Sequence, residues 1–175
     1  YGFCVDDPAG QRDTAALPLR PLPFWQEQQP ERYAQLLRLR LLDMPPPQLT
    51  RASGSFLPPE LVVYARLATV EPEAKVAEEA ASVKVDVDAF VRRSLTMPDV
   101  RRYIHTQIRS RLDEYNTSAS EDVQLLLALD VQGQLEATSS PEWTRRRCAL
   151  SLRKGEKEIL QHWLHALAEG KEELR

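Results

Sequence analysis

Glycine is scarce in this chain, with six among 175 residues. The sequence contains no glycine-rich phosphate loop, no His-Glu-x-x-His pair and no Gly-x-Ser-x-Gly elbow. A cofactor cradle built from loops is therefore not expected. Cysteine occurs only at Cys4 and Cys148, too few for a disulfide framework and without zinc-ligand spacing; two reduced thiols in a reducing compartment are expected, with a single bridge as the alternative. Positive charge is not in excess: 23 Lys and Arg face 26 Asp and Glu, the net charge is −3 and the pI is near 5.7. That balance argues against a general nucleic-acid binder. No apolar run reaches the roughly 18 residues of a membrane span, and the opening Tyr-Gly-Phe-Cys has neither the basic nor the apolar region of a signal peptide. It also lacks an initiator Met, and the expectation is part of a longer chain.

What is present describes a globular domain. Hydrophobic residues make up 42% of the chain and charged residues 28%, a mixture suited to one soluble core. The pattern predicts an all-α helical bundle with a short extended N-terminal arm, and no repeat of fixed period. In the arm, Thr14 to Arg20 is expected as a short edge strand, because Pro18 cannot donate to a central ladder. Phe24 and Trp25 are expected to anchor the arm.

Helices follow in order. Pro30 to Asp43 is predicted helical, with Leu36, Leu37, Leu39, Leu41 and Leu42 as its apolar face and Pro45-Pro-Pro47 as its stop; Gln48 to Phe56 is predicted as a loop. Leu57-Pro-Pro-Glu60 opens the next helix, burying Leu61, Tyr64, Ala65 and Ala68. Glu71 to Ala81 is expected as an exposed helix. Asp86 to Leu95 is expected to be another, with Val87, Phe90 and Val91 inward. The clearest periodicity lies between Pro98 and Tyr115, where Val100, Tyr103, Ile104, Ile108, Leu112 and Tyr115 share a side. A helix from Ser120 uses Leu125, Leu126 and Leu129 as core, and Gln132 to Ser140 is a loop. Ser140-Pro-Glu-Trp143 is a strong helix start, a serine cap followed by proline. Gly155 interrupts the pattern there, so a final helix is expected from Glu156 to about Gly170.

Few residues stand out as chemistry. Glu158, His162 and His165 fall at helical spacings of four and three, a conceivable metal set whose ordinary explanation is a solvated face. His105 has no serine or cysteine spaced to use it as a base. Arg92-Arg93, Arg101-Arg102 and Arg145-Arg-Arg147 can make a basic patch that steers an acidic partner. Arg101, Arg102 and Arg109, on the outer side of the Pro98 helix, are the candidate substrate contacts.

Three segments carry a resemblance: Tyr1-Gly-Phe-Cys-Val-Asp6, Phe56-Leu-Pro-Pro-Glu-Leu-Val-Val-Tyr-Ala-Arg-Leu67 and Ala149-Leu-Ser-Leu-Arg-Lys-Gly-Glu-Lys-Glu-Ile-Leu160. In this order they resemble the C-terminal part of the Rubisco large-subunit methyltransferase family, a branch of the SET-domain protein-lysine methyltransferases. The resemblance implies that residues 1–23 end a SET domain and connect it to a helical substrate-binding domain, residues 24–175. It implies partners too: a protein substrate bearing the target lysine and an upstream SET domain of the same chain, with no nucleic acid and no membrane. By the same resemblance Tyr1 corresponds to a tyrosine at the lysine channel, where a phenol orients the neutral amine. The Asn-His segment with which relatives hold S-adenosylmethionine is absent, so no cofactor is expected in this fragment and S-adenosylmethionine is expected in the SET domain. An intracellular location is implied, in plastid, cytoplasm or nucleus. The rival expectation is a stand-alone helical protein-interaction adaptor.

Overall fold

The computed structural model describes residues 14–19, 25–50, 57–69, 87–136 and 140–169. Among them are seven helices and one two-stranded sheet. The elements are β1 (Thr14–Ala16), α1 (Trp25–Gln28), α2 (Pro30–Arg38), β2 (Gln48–Thr50), α3 (Pro59–Thr69), α4 (Val87–Leu95), α5 (Pro98–Asp113), α6 (Ala119–Glu136) and α7 (Pro141–Glu169). The all-α bundle with its extended arm is the observed architecture.

The main core gathers α3, α4, α5 and the second half of α7 around Leu61, Ala65, Val91, Ile104, Ile108 and Leu160, all buried. The α5 stripe is as the periodicity predicts: Val100, Ile104 and Ile108 are fully buried, and Tyr103, Leu112 and Tyr115 pack at its margin. A second cluster joins Trp25 and the α2 leucines to α3. There Trp25 stacks on Tyr64 at 5.7 Å between ring centroids, and Tyr64 meets Tyr103 at 6.2 Å. Trp25 anchors the arm as expected; Phe24 lies outside the described residues. Arg32 is half-buried and donates from Nη1 to the Ala68 carbonyl at 3.1 Å, satisfying an end of α3.

Several boundaries differ from the expectations. Gln48 to Thr50 is a strand rather than loop. It pairs antiparallel with β1 (Thr14 with Thr50, Ala15 with Leu49, Ala16 with Gln48). Its register puts Ala15 and Leu49 in the core. Trp163 on α7 donates from Nε1 to the Thr50 carbonyl at 2.8 Å, which seats the sheet on the bundle. Three residues paired with a segment more than thirty positions away leave no local signal.

α2 ends at Arg38, well before the proline run. The Leu41 amide donates to Leu36 O at 3.1 Å and the Arg40 amide to Leu37 O at 3.0 Å. Arg40 sits at φ 54. Together these make a Schellman termination, with an arginine at the left-handed position usually taken by glycine. Leu36 and Leu41, the pair that closes such a motif, are both buried. Leu37 points outward and is 51% exposed, so the apolar face is narrower than the leucine count suggests.

Val87, the first described residue of α4, is likewise exposed. The helix expected over Glu71 to Ala81 lies outside the described residues. α6 starts at Ala119 and runs to Glu136, so most of the predicted Gln132–Ser140 loop is helix up to that point. α7 is continuous from Pro141 to Glu169. Gly155 is buried inside it rather than breaking it: one glycine costs about 1 kcal/mol in a helix interior, less than the packing of the flanking turns supplies. Cys148 is disulfide-bonded, which corrects the expectation of reduced thiols; separation along the chain sets no limit on approach in space. The other cysteine, Cys4, lies outside the described residues.

The left-handed Arg40 provides a stability test. Such a conformation costs an L-residue about 1–2 kcal/mol, and a glycine there loses part of that gain to unfolded-state entropy. Arg40→Gly is expected to stabilise the fold by about 0.5–1 kcal/mol in denaturant unfolding. A loss of stability would contradict the assigned termination.

Candidate functional site

Two features of α6 and α7 dominate the chemistry of this domain: a polar cluster buried where they join the bundle, and an apolar face turned to solvent.

The turn between α5 and α6 carries Tyr115, Asn116, Thr117 and Ser118. Ser118 caps α6: its backbone amide donates to Glu121 Oε2 at 2.6 Å, and the Glu121 amide donates to Ser118 Oγ at 3.2 Å. This reciprocal capping box starts the helix at Ala119, one residue before the expected Ser120. The same hydrogen bonds, backbone first and hydroxyl second, hold the Glu121 carboxyl below its ordinary pKa.

One residue further on, Asp122 is 0% exposed. Beside it Lys157 of α7 is 1% exposed. Lys157 Nζ donates to Asp122 Oδ2 at 2.6 Å and to Thr117 Oγ1 at 2.8 Å, and it lies 3.4 Å from the Ser118 carbonyl. The Tyr115 ring covers it, with the ammonium 5.0 Å from the centroid. Thr117 Oγ1 donates to Asp122 Oδ1 at 2.8 Å, and Arg153 contacts both carboxylate oxygens. Arg111 of α5 reaches Glu156 at 3.3 Å. Burial acts to raise the Asp122 pKa, yet the hydrogen bonds from Arg153, Lys157 and Thr117, with the charge of Arg153, leave it below the usual carboxylate value.

This cluster gives a physical meaning to Arg153-Lys154-Gly155-Glu156-Lys157, the most specific of the three resembling segments. Arg153 and Lys157 grip the first turn of α6, Glu156 grips the last turn of α5, and Gly155 is buried between them. Nothing in the sequence marks Asp122 as buried. It looks like an ordinary first-turn acid, and its partner stands 35 residues away.

Beyond this joint, α6 and the first half of α7 form a hairpin. Among the described residues α6 packs extensively against α7 alone. Trp143 locks the far end: its Nε1 donates to the Leu129 carbonyl at 2.9 Å, and its ring occupies space that a Cβ on Gly133 would enter at 2.8 Å. Arg147 of α7 pairs with Asp130 of α6 at 2.6 Å. Leu129 and Leu150 are buried between the two helices.

The outer face of α6 differs from the expected core assignment. Leu129 is buried as predicted, Leu126 is half-buried and Leu125 is exposed. Val123, Leu127 and Val131 repeat every four residues on the solvent side; Leu127 is 61% exposed and Val131 57%. Gln124 and Ala128, also exposed, extend this strip, and the Asp130–Arg147 pair borders it. A helix apolar all round is normally covered. Because every face of α6 offers leucine or valine, its sequence cannot show which side is inward.

The sequence-predicted site residues are not brought together into one site. Tyr1 lies outside the described residues. Arg101 is half-buried, while Arg102 and Arg109 are exposed on α5. Arg102 pairs with Asp99 at 3.7 Å and Arg109 with Asp113 at 3.4 Å. These are exposed pairs within one helix, the ordinary furnishing of a solvated face. Glu158 pairs with Lys154 at 3.3 Å. Among the described residues no group of three or more His, Cys, Asp and Glu is placed to hold a metal ion, so Glu158, His162 and His165 do not assemble as one. None of the described helices is long and apolar enough to cross a membrane.

The fold and this surface define an all-α binding module whose buried charges are consumed in holding its own helices. The sequence matches the family model described as Rubisco LSMT substrate-binding over residues 26–160. The chain belongs to that family. No curated protein and no solved structure matches it.

The buried pair makes two predictions. Removing one partner leaves an uncompensated buried charge, so Asp122→Leu is expected to destabilise by about 3–5 kcal/mol in denaturant unfolding. The double variant Asp122→Leu/Lys157→Met is expected to be less destabilised than Asp122→Leu; equal or greater loss in the double variant would contradict the pairing. The second concerns pH. A folded pKa below the unfolded value of about 3.9 means that Asp122 contributes stability above that pH, lost as pH falls through the folded value. Stability of the wild-type chain is expected to fall below about pH 4, with a shallower fall in Asp122→Asn. Parallel acid limbs would contradict this.

Proposed function

We propose that this chain is the protein-substrate-docking part of a protein-lysine methyltransferase, working beside a SET-type domain that binds S-adenosylmethionine. The family match over residues 26–160 carries the substrate-binding role. The Tyr1-Gly-Phe3 segment, which resembles the end of a SET domain, supports the methyltransferase connection.

The physical logic is division of labour. A channel that admits one lysine side chain buries little surface, whereas a specific protein interface buries about 800 Å² per partner. Rigid helices supply the difference with less ordering entropy than loops. A cofactor held elsewhere accords with the two described glycines, Gly133 and Gly155, lying within α6 and α7 rather than in a loop. In this reading the cofactor is held upstream, and Tyr1 stands at the channel on the strength of the resemblance alone.

The test uses the full-length protein with radiolabelled S-adenosylmethionine and a methyl-depleted cell lysate. The expected result is label in protein, recovered as ε-N-methyl-lysine after hydrolysis. A full-length protein that neither binds S-adenosylmethionine nor labels lysine, yet still captures a protein partner, would overturn the reading in favour of an adaptor.

A further inference from the structure

We propose that the outer face of α6, centred on Val123, Leu127 and Val131, is the contact that grips the protein substrate, and that it takes a short, uncharged apolar segment of that substrate remote from the target lysine. The inference rests on the docking reading above and adds the location of the contact and the chemistry of its occupant.

Three observations point to this occupant. The strip itself carries no charge: Val123, Gln124, Leu127, Ala128 and Val131 offer no counter-ion, Asp130 at its edge is already paired with Arg147, and a charged segment laid against the strip would lose hydration without compensation. The strip is also short. Val123 to Val131 spans about 12 Å at about 1.5 Å per residue, a small fraction of the 20–30 residues a side that a stable protein interface uses. Two copies joined through this strip alone would not hold together. A short segment of a larger protein can be held there if the same protein is also engaged at a second point, since the second contact is then intramolecular; a lysine in a channel is such a point. Finally, the strip is presented rigidly. It lies on a hairpin fixed at one end by the Asp122–Lys157 pair and at the other by Trp143 against Gly133, so its place relative to the main core is set by the fold.

The experiment uses the full-length protein, radiolabelled S-adenosylmethionine and the protein most strongly labelled in a methyl-depleted lysate, purified. Leu127→Asp/Val131→Asp is expected to raise KM for that protein about tenfold or more, the effect of losing about 1.4 kcal/mol or more of binding, while kcat at saturation holds. Leu127→Gln is expected to shift KM in the same direction by less; circular dichroism establishes that both variants are helical. Ser110→Asp, on the exposed side of α5, is the control and leaves KM in place. An unchanged KM in folded Asp variants that still label the substrate would overturn the strip as the contact and leave the docking role standing. No labelling by the wild-type protein would remove the docking reading and this inference with it. A wild-type dimer in sedimentation that Leu127→Asp converts to monomer would assign the strip to a second copy, against the proposal.

Discussion

Everything distinctive about this domain depends on one buried ion pair. Asp122 and Lys157 are both excluded from solvent and bonded to each other at 2.6 Å. Neither could be tolerated alone, and together they add little net stability compared with an apolar pair of the same size. Their contribution is geometric. The lysine has its donors directed at a carboxylate, a hydroxyl and a carbonyl, all in or beside the turn between α5 and α6. That set can be satisfied in only one placement of α7 against the turn. Apolar side chains would permit a range of rotations, whereas a satisfied polar network selects one.

The selected placement has consequences along the hairpin. With α7 fixed at Lys157, its continuous helix carries Trp143 back to Gly133 and Arg147 to Asp130. α6 thus turns one apolar side to α7 and the other to solvent. In the family to which the chain belongs, a module of this kind binds substrate. Its outward valines and leucine make sense as a surface awaiting a partner, because contiguous exposed apolar residues on a helix are otherwise a liability.

The bundle was legible in the sequence where burial is one-sided. The α5 stripe, the proline start of α3 and the serine–proline start of α7 are local signals that the tertiary structure reinforces. Most of the misses share a different cause, a contact with a distant part of the chain; the early stop of α2 is the local exception. β2 is a strand because β1 lies beside it. Gly155 stays helical because α7 is packed around it. α2 stops early because Arg40 accepts a left-handed conformation that nothing in its side chain requires. Asp122 is buried because Lys157 is there to meet it. On the site, the arginines of α5 and the outer face of α6 carry different signals. Arg102 and Arg109 are answered by acids on their own helix, while the outer face of α6 was hidden in a run of leucines with no polar side to orient it.

Amide hydrogen exchange in Lys157→Met tests most directly whether this pair holds the hairpin in place. The account predicts that α6 and the first half of α7 lose protection while the buried amides of α3 and α5 keep theirs, since the lesion falls at the joint and not in the main core. Uniform loss of protection across all helices, or none in α6, would contradict it.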